Sequence, residues 1–332
     1  MSSESPTPDI SEKNPVALWY GARKHPFQPS SPVNAPELRP ETQTGTRTGA
    51  NDPGMKIAIQ GEPGSFSHEA AMNLVADAVI VPCALSADAF AAVANGSVAA
   101  AAIPIENSLA GSVSEHFDLL LTHDVMVERE TLLRIRHNLI AISGTHIGEI
   151  DRVFSHPVAL AQCRRFLADH PRMEAYAFYD TAGSVKQLVE LRDRHAAAIA
   201  SEAAAHYYGA HILQADIEDN PENYTRFFLV RRTREVVVDP KANKISIAFA
   251  VENRAGSLVA ALHELSAMGI NLTKIESRPV HGKPWEYIFY VDCQIHAPED
   301  GTRAIEALKP HCSMVKELGR YREAMRTGLA KA

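Results

Sequence analysis

Between residues 56 and 232, short apolar runs alternate with stretches of helical periodicity. The runs "KIAIQG", "AAAIPI", "LIAISG", "RVFSH", "AAAIAS" and "RFFLVRR" predict strands. Residues 68–77, 86–95, 114–122, 157–169, 183–193 and 201–208 predict helices. Alternation of this kind predicts an α/β fold with mainly parallel sheets covered by helices. The working residues of such sheets gather at strand carboxyl ends and helix N-termini. Past the charged connector "RTREVVVDPKAN" the period changes. "KISIAFAV" puts Ile245, Ile247, Phe249 and Val251 on one face, and Leu258, Leu262 and Leu265 follow at helical spacing up to Gly269. Two more strands, a helix near 299–309 and a last strand near 312–318 complete a ferredoxin-like βαββαβ unit.

The segment before residue 55 has neither period. It holds nine of the 20 prolines, and such a composition cannot repay the entropy of ordering. The chain thus divides into a disordered extension (1–54), an α/β domain (55–234), a linker (235–243) and the βαββαβ unit (244–322). A 332-residue chain that is 45% hydrophobic can bury two cores. The net charge of -7 favours solubility and offers no basic stripe for nucleic acid. Cys83, Cys163, Cys293 and Cys312 have no paired spacing, which points to reduced thiols in the cytoplasm. No apolar run is long enough to span a membrane.

Polar residues cluster where the strands end. "GEPGSFSHEAA" leaves the first strand through two glycines and enters a helix capped by Ser65 or Ser67, a turn suited to an anion. "AAIPIENSLAGSV" ends an apolar strand with Glu106, Asn107 and Ser108, more polar groups than one helix cap needs. "FSHPVALAQC" sets Ser155 at an expected helix cap before Pro157, with Gln162 one turn inside. "YDTAGS" repeats the pattern with Asp180 or Thr181. "NYTRFFLV" places Thr225 and the fixed cation Arg226 where the chain enters a core. His116, His123 and His156 lack the spacing of metal ligands, so no metal is expected.

In this order the motifs resemble the prephenate dehydratase family: a glycine turn ending in F-S-H, then P-I-E-N-S, S-H-P, D-T-A-G, A-A-I-A-S and T-R-F. The following unit, with "ESRP" at 276–279, resembles an ACT domain. The likeness spans about 56 to 320. It implies a two-lobed catalytic domain, like a periplasmic binding protein, with the site between the lobes. It also implies a C-terminal unit that binds phenylalanine as a feedback inhibitor. Carried over residue by residue, it makes Thr225 the catalytic threonine, and Glu106 and Asn107 cleft-lining partners. Ser65, Ser108, Ser155, Gln162, Thr181, Arg226 and Phe227 become substrate contacts. Asn253, Gly256, Ser257, Leu258, Glu276 and Ser277 become the phenylalanine site. Ser65 stands where the family often has Thr, Val158 where Gln is usual, and "GSL" where G-A-L is common.

The implied reaction turns prephenate into phenylpyruvate, CO2 and water. Aromatisation drives it, no electron sink is needed, and so no cofactor is implied. Arg226 suits a carboxylate clamp, since guanidinium is a planar bidentate donor; an ion pair with Asp219 or Glu222 is the alternative. Thr225 suits a donor to the departing hydroxyl. Glu106 serves as proton source only if burial raises its pKa. Arogenate, or both substrates, is a second expectation. A non-catalytic binding protein of the same two-lobe fold is a third. ACT-like units pair side by side, which predicts a homodimer or homotetramer.

Overall fold

The computed structural model describes residues 54–280 and 285–325. The expected disorder of the N-terminal extension lies outside the described residues, apart from Gly54. A first lobe contains β1 (Lys56–Gln60), α1 (Phe66–Leu74), β2 (Val79–Cys83), α2 (Ser86–Asn95), β3 (Ala100–Asn107), the short β4 (Gly111–Ser112), α3 (Ser114–Thr122) and β5 (Val125–Arg134). A second lobe follows with β6 (Asn138–Ala141), β7 (Arg152–Ser155), α4 (Pro157–Ala161), α5 (Arg164–Asp169), β8 (Glu174–Ala177), α6 (Thr181–Leu191), β9 (Ala196–Ala200), α7 (Glu202–Tyr208) and β10 (His211–Gln214). β11 (Tyr224–Arg232) returns to the first lobe. The C-terminal unit is β12 (Lys244–Ala250), α8 (Ser257–Ala267), β13 (Asn271–Pro279), β14 (Tyr287–Gln294), α9 (Pro298–Leu308) and β15 (Met314–Tyr321).

The fold class is the expected one, two α/β lobes and a βαββαβ unit, but the sheets are more mixed than the alternation suggests. The second lobe has its own sheet, in the order β10-β6-β9-β7-β8, with β6 antiparallel to β9 and β10. β11 lies antiparallel between β3 and β5. It could not be parallel to them, because it arrives from the opposite end after the excursion through the second lobe. β5 was not expected as a strand, since "VMVERETLLR" mixes charges with apolar residues. Its central place next to β11 is tolerable because Glu130 and Glu128 find cations there, the buried Arg226 and the half-buried Arg231.

The C-terminal unit continues the first lobe's sheet. The path runs β13-β14-β12-β15-β5-β11-β3-β1-β2, with β15 meeting β5 at Gly319 and Val127. Gly319 is required at that crossing, because a Cβ there would overlap the Val127 backbone. Tyr290, Leu318 and Tyr321 from the C-terminal unit share one core cluster with Phe90, Phe117 and Phe228. Lys316 donates to the carbonyls of Leu120, Leu121 and His123 at 2.7–2.9 Å, satisfying the free C-terminal end of α3. The isoleucines and Phe249 of β12 face a separate core with Leu265, as their alternation predicts.

Two chain crossings join the lobes, one after β5 and one before β11. They bond to each other, Ile135 N–H to Asn223 O and Ile217 N–H to His137 O, both at 2.8 Å. The second crossing is the acidic run "ADIEDNPE". Its carboxylates hold the joint: Glu218 accepts from His137 N–H, and Asp219 accepts from the first two amides of α5.

Candidate active site

Thr225 and Arg226 follow the crossing directly and point to opposite faces of the sheet, as adjacent strand residues must. Thr225, Phe227 and Leu229 form one face. Phe227 packs on Ala70, Leu133 and Ile135, and Leu229 packs on Ile57 and Ile59. Arg226, Phe228 and Val230 form the other, and Phe228 and Val230 join the cluster shared with the C-terminal unit. In β3 the register against β11 runs Asn107–Thr225, Glu106–Arg226, then Pro104–Phe227. Ile105 is therefore an extra residue, a bulge that reverses the inside-outside order of β3. Because of it Asn107 turns to Thr225, while Glu106 remains on the side of Ile103 and Ile105.

On the Thr225 face, amides hold the hydroxyl. Asn107 Nδ2 donates to Thr225 Oγ1 at 2.9 Å and to Asn223 Oδ1 at 2.8 Å, and its Oδ1 accepts from the amides of Leu109 and Ala110. Asn223, wholly buried, donates to Gln162 Oε1 at 3.0 Å, and His137 Nε2 lies 2.8 Å from the same oxygen. Thr225 Oγ1 thus accepts from Asn107, and among the described residues no acceptor meets its own proton. Gln162 and Asn223 line a cavity of about 350 Å³, together with Val158, Glu218 and Asp219. Asn223 and His137 were missed in the sequence. Asn223 was within reach of that reading, because it stands two residues before Thr225 and so on the same side; "RIRHNLI" carries no comparable signal for His137.

The structure does not bring Arg226 and Glu106 together with Thr225. Arg226 pairs with Glu130 and Asp292, each at 2.5 Å, and donates to Tyr321 Oη at 2.9 Å. Neither Asp219 nor Glu222 is its partner. Burial works against its charge, yet Tyr321 and the carboxylates of Asp292 and Glu130 outweigh that and raise its pKa. Glu106 is 3.9 Å from Arg226 and 3.0 Å from Lys274 of the C-terminal unit. Facing away from Thr225, it has no direct path to pass a proton there.

Other expected contacts have their polar groups engaged. Ser155 is wholly buried and donates to Ile199 O at 2.5 Å. As the last residue of β7 it points inward, and His156 caps α4 instead. Ser108 donates to Glu222 O and accepts from Tyr224 N–H, pinning β3 to the crossing. Ser65 caps α1, and Asp180 rather than Thr181 caps α6. Phe227 is buried in its own cluster. The glycine turn crosses to the second lobe: Glu62 accepts from Tyr179 Oη at 2.9 Å and pairs with Lys186 at 3.1 Å. Gly64 (φ +85°) sits against Ala204, where a Cβ would come within 2.8 Å of backbone.

In the C-terminal unit, Asn253 and Leu258 line a second cavity of about 120 Å³ with Trp285, Tyr287 and Phe289. Gly256 takes φ +85° immediately before α8, and Ser257 accepts from Arg254. Glu276 and Ser277, adjacent in β13, face opposite ways. Glu276 turns to the catalytic lobe, beside Lys274 and Ser114, whereas Ser277 pairs with Phe289.

His116 and His137 are both buried. Burial lowers their pKa values from the ordinary 6.5, against smaller opposing effects from Pro104 O in one case and Gln162 in the other. The unfolded chain then binds more protons below about pH 6.5, so stability is full above that pH and falls as acid is added. Each imidazole costs up to about 1.4 kcal/mol per pH unit in that range. The urea midpoint should therefore drop between pH 7.5 and 5.5. Equal midpoints would contradict neutral, buried imidazoles.

Among the described residues no group of three or more His, Cys, Asp or Glu could hold a metal ion, and no helix is long and apolar enough to cross a membrane. A family model for prephenate dehydratase matches residues 57–235, and one for the ACT domain matches residues 245–309. The chain is 37% identical over 300 residues to arogenate dehydratase/prephenate dehydratase 2, chloroplastic, of Arabidopsis thaliana. That alignment covers 87% of this chain and 77% of the relative. The structure of prephenate dehydratase from Arthrobacter aurescens in complex with L-Phe aligns with a TM-score of 0.74 at 32% identity, over 81% of this chain and 90% of that one. GqqA, described as a novel type of quorum quenching acylase, aligns with the same TM-score and identity over 80% of this chain and 97% of its own.

Proposed function

We propose that this chain, which belongs to the prephenate dehydratase family, converts prephenate to phenylpyruvate in phenylalanine biosynthesis. The observation that carries this reading is the Thr225 hydroxyl, held by the Asn107 amide with its proton unspent. The bond between the ring and its carboxylate breaks and releases CO2. Its electron pair moves into the ring, and the C4 hydroxyl leaves as hydroxide and takes a proton from solvent to become water. Thr225 donates to the oxygen as negative charge develops there, the step at which a placed donor accelerates most. Asn107, backed by Asn223 and Gln162, keeps that donor aimed.

Arogenate is the second reading, and it has its own support. Glu218 and Asp219 lie on the cavity wall, where either carboxylate, besides the backbone amides it already accepts from, would receive the ammonium group that replaces the keto oxygen. Comparing kcat/KM for the two substrates on the purified full chain decides. A preference for prephenate of tenfold or more is expected, and the reverse order would overturn the assignment. An acylase reading, raised by the likeness to GqqA, needs an activated nucleophile. The hydroxyl of Thr225 is bonded to an amide, not to a carboxylate or imidazole.

The same proposal gives the C-terminal unit phenylalanine as effector, bound near Asn253, Gly256, Ser257 and Leu258. The cavity there is smaller than the ~300–1,000 Å³ of sites that enclose a ligand, and Trp285 at its edge is 75% exposed. Both features support completion by a second copy, in a homodimer or homotetramer. All four cysteines are free, in keeping with a reducing compartment such as the cytoplasm.

A further inference from the structure

Both residues of the Asn107–Thr225 pair have a chain neighbour tied to the C-terminal unit. Arg226, next to Thr225, pairs with Asp292 of β14 at 2.5 Å and donates to Tyr321 of β15. Glu106, next to Asn107, pairs with Lys274 of β13 at 3.0 Å. The arrangement depends on bulges in both units. Ile105 turns Glu106 away from the cleft, and Thr273 is an extra residue that puts Lys274 on the same face as Asp292.

Around Arg226 the charges of the two units form one network, with Glu106 at its edge 3.9 Å away. Ser246 Oγ donates to Asp292 Oδ1 at 2.5 Å. Lys244 pairs with Glu130 at 3.2 Å, so Arg226 and Lys244 face Glu130 and Asp292. Its members come from both sides: Arg226 and Glu130 from the first lobe, Asp292, Lys244, Ser246 and Tyr321 from the C-terminal unit. Consecutive Cα atoms are about 3.8 Å apart on a planar peptide, so a shift of Arg226 is passed to Thr225. On the other side β11 pairs with β5 without a break from Tyr224 to Leu229, so Thr225 and Arg226 belong to one continuous ladder.

We propose that Arg226 is a positioning residue, through which the C-terminal unit sets the aim of the Thr225 hydroxyl, with Lys274 acting in the same way on Asn107 through Glu106. The proposal rests on Thr225 being the catalytic donor. It makes the C-terminal unit part of the working site at all times, whether or not an effector is bound.

The test is Asp292→Asn in the full chain, a change that keeps the shape and removes the C-terminal unit's charge on Arg226 while Glu130 remains. The expected result is a fall in kcat of about tenfold per folded enzyme with KM within twofold, the mark of lost transition-state alignment. A purely structural cluster would lower the melting temperature and leave kcat of the folded enzyme unchanged; that result overturns the proposal. Should Asp292→Asn not fold, Lys274→Gln takes its place at the edge of the interface. A kcat several-fold lower with KM retained supports the proposal, and parental kcat in the folded variant overturns it. Thr225→Ala, assayed in parallel, separates the two levels. Normal kcat in Thr225→Ala refutes the reading of the site itself, whereas normal kcat in Asp292→Asn alone refutes only the coupling.

Discussion

Replacing Thr225 with alanine is expected to lower kcat by about 10²–10³-fold while KM changes by less than about threefold, the scale of a lost transition-state donor. The structure makes this a clean substitution. Asn107 Nδ2 retains Asn223 Oδ1 at 2.8 Å and Tyr224 O at 3.2 Å as acceptors once Oγ1 is gone, so no buried amide is left unpaired. Thr225→Ser restores the hydroxyl and should recover most of the loss. Steady-state kinetics of the two variants decide the matter. If alanine turns over at the parental rate, Thr225 has no part in the chemistry.

The largest effect on stability is expected at Arg226. Replacing it with methionine keeps much of the side-chain volume over the Phe228 ring, 4.6 Å from the guanidinium carbon. The carboxylates of Glu130 and Asp292 would then be buried against each other with one fewer cation. Breaking a buried cluster from one side costs about 3–5 kcal/mol. Urea unfolding of Arg226→Met should show that loss. A double change, Arg226→Met with Asp292→Asn, should recover part of it, because the uncompensated charge is then smaller. Were Arg226→Met as stable as the parent, the cluster would contribute nothing to folding.

The same cluster alters what to expect of the C-terminal unit as a separate piece. The linker "RTREVVVDPKAN" invites a cut near residue 241. Yet the sheet runs on from β5 into β15, and Phe228 and Phe117 share a core with Tyr290 and Tyr321. Removing the unit would expose that apolar surface and strip Arg226 of Asp292. Substitutions in the full chain are therefore the better probe of control.

Much was legible in the chain itself. Period-2 and period-3.6 patterns marked α2, α3 and the core face of β12 because each such element buries one side, and burial forces apolar residues to recur at the element's own repeat. Proline and glycine set the boundaries for the same local reasons. Thr225 and Asn107 stood out as polar groups at strand ends, whereas Gln162, the C-cap of α4, was singled out by the family resemblance. Strand β5 was not legible, since its glutamates suit the interior of a sheet only when Arg226 and Arg231 reach them from the neighbouring strand. Nor was the division of "ENS" and "TRF" between two faces. Alternation alone puts Asn107 on the side of Ile103 and Ile105. One bulged residue reverses this, and a bulge arises from pairing with β11, more than a hundred residues later. Which face then meets the C-terminal unit depends on β15 docking beside β5. Local sequence determined which residues stand side by side on each strand. Long-range strand pairing alone decided what each of them touches.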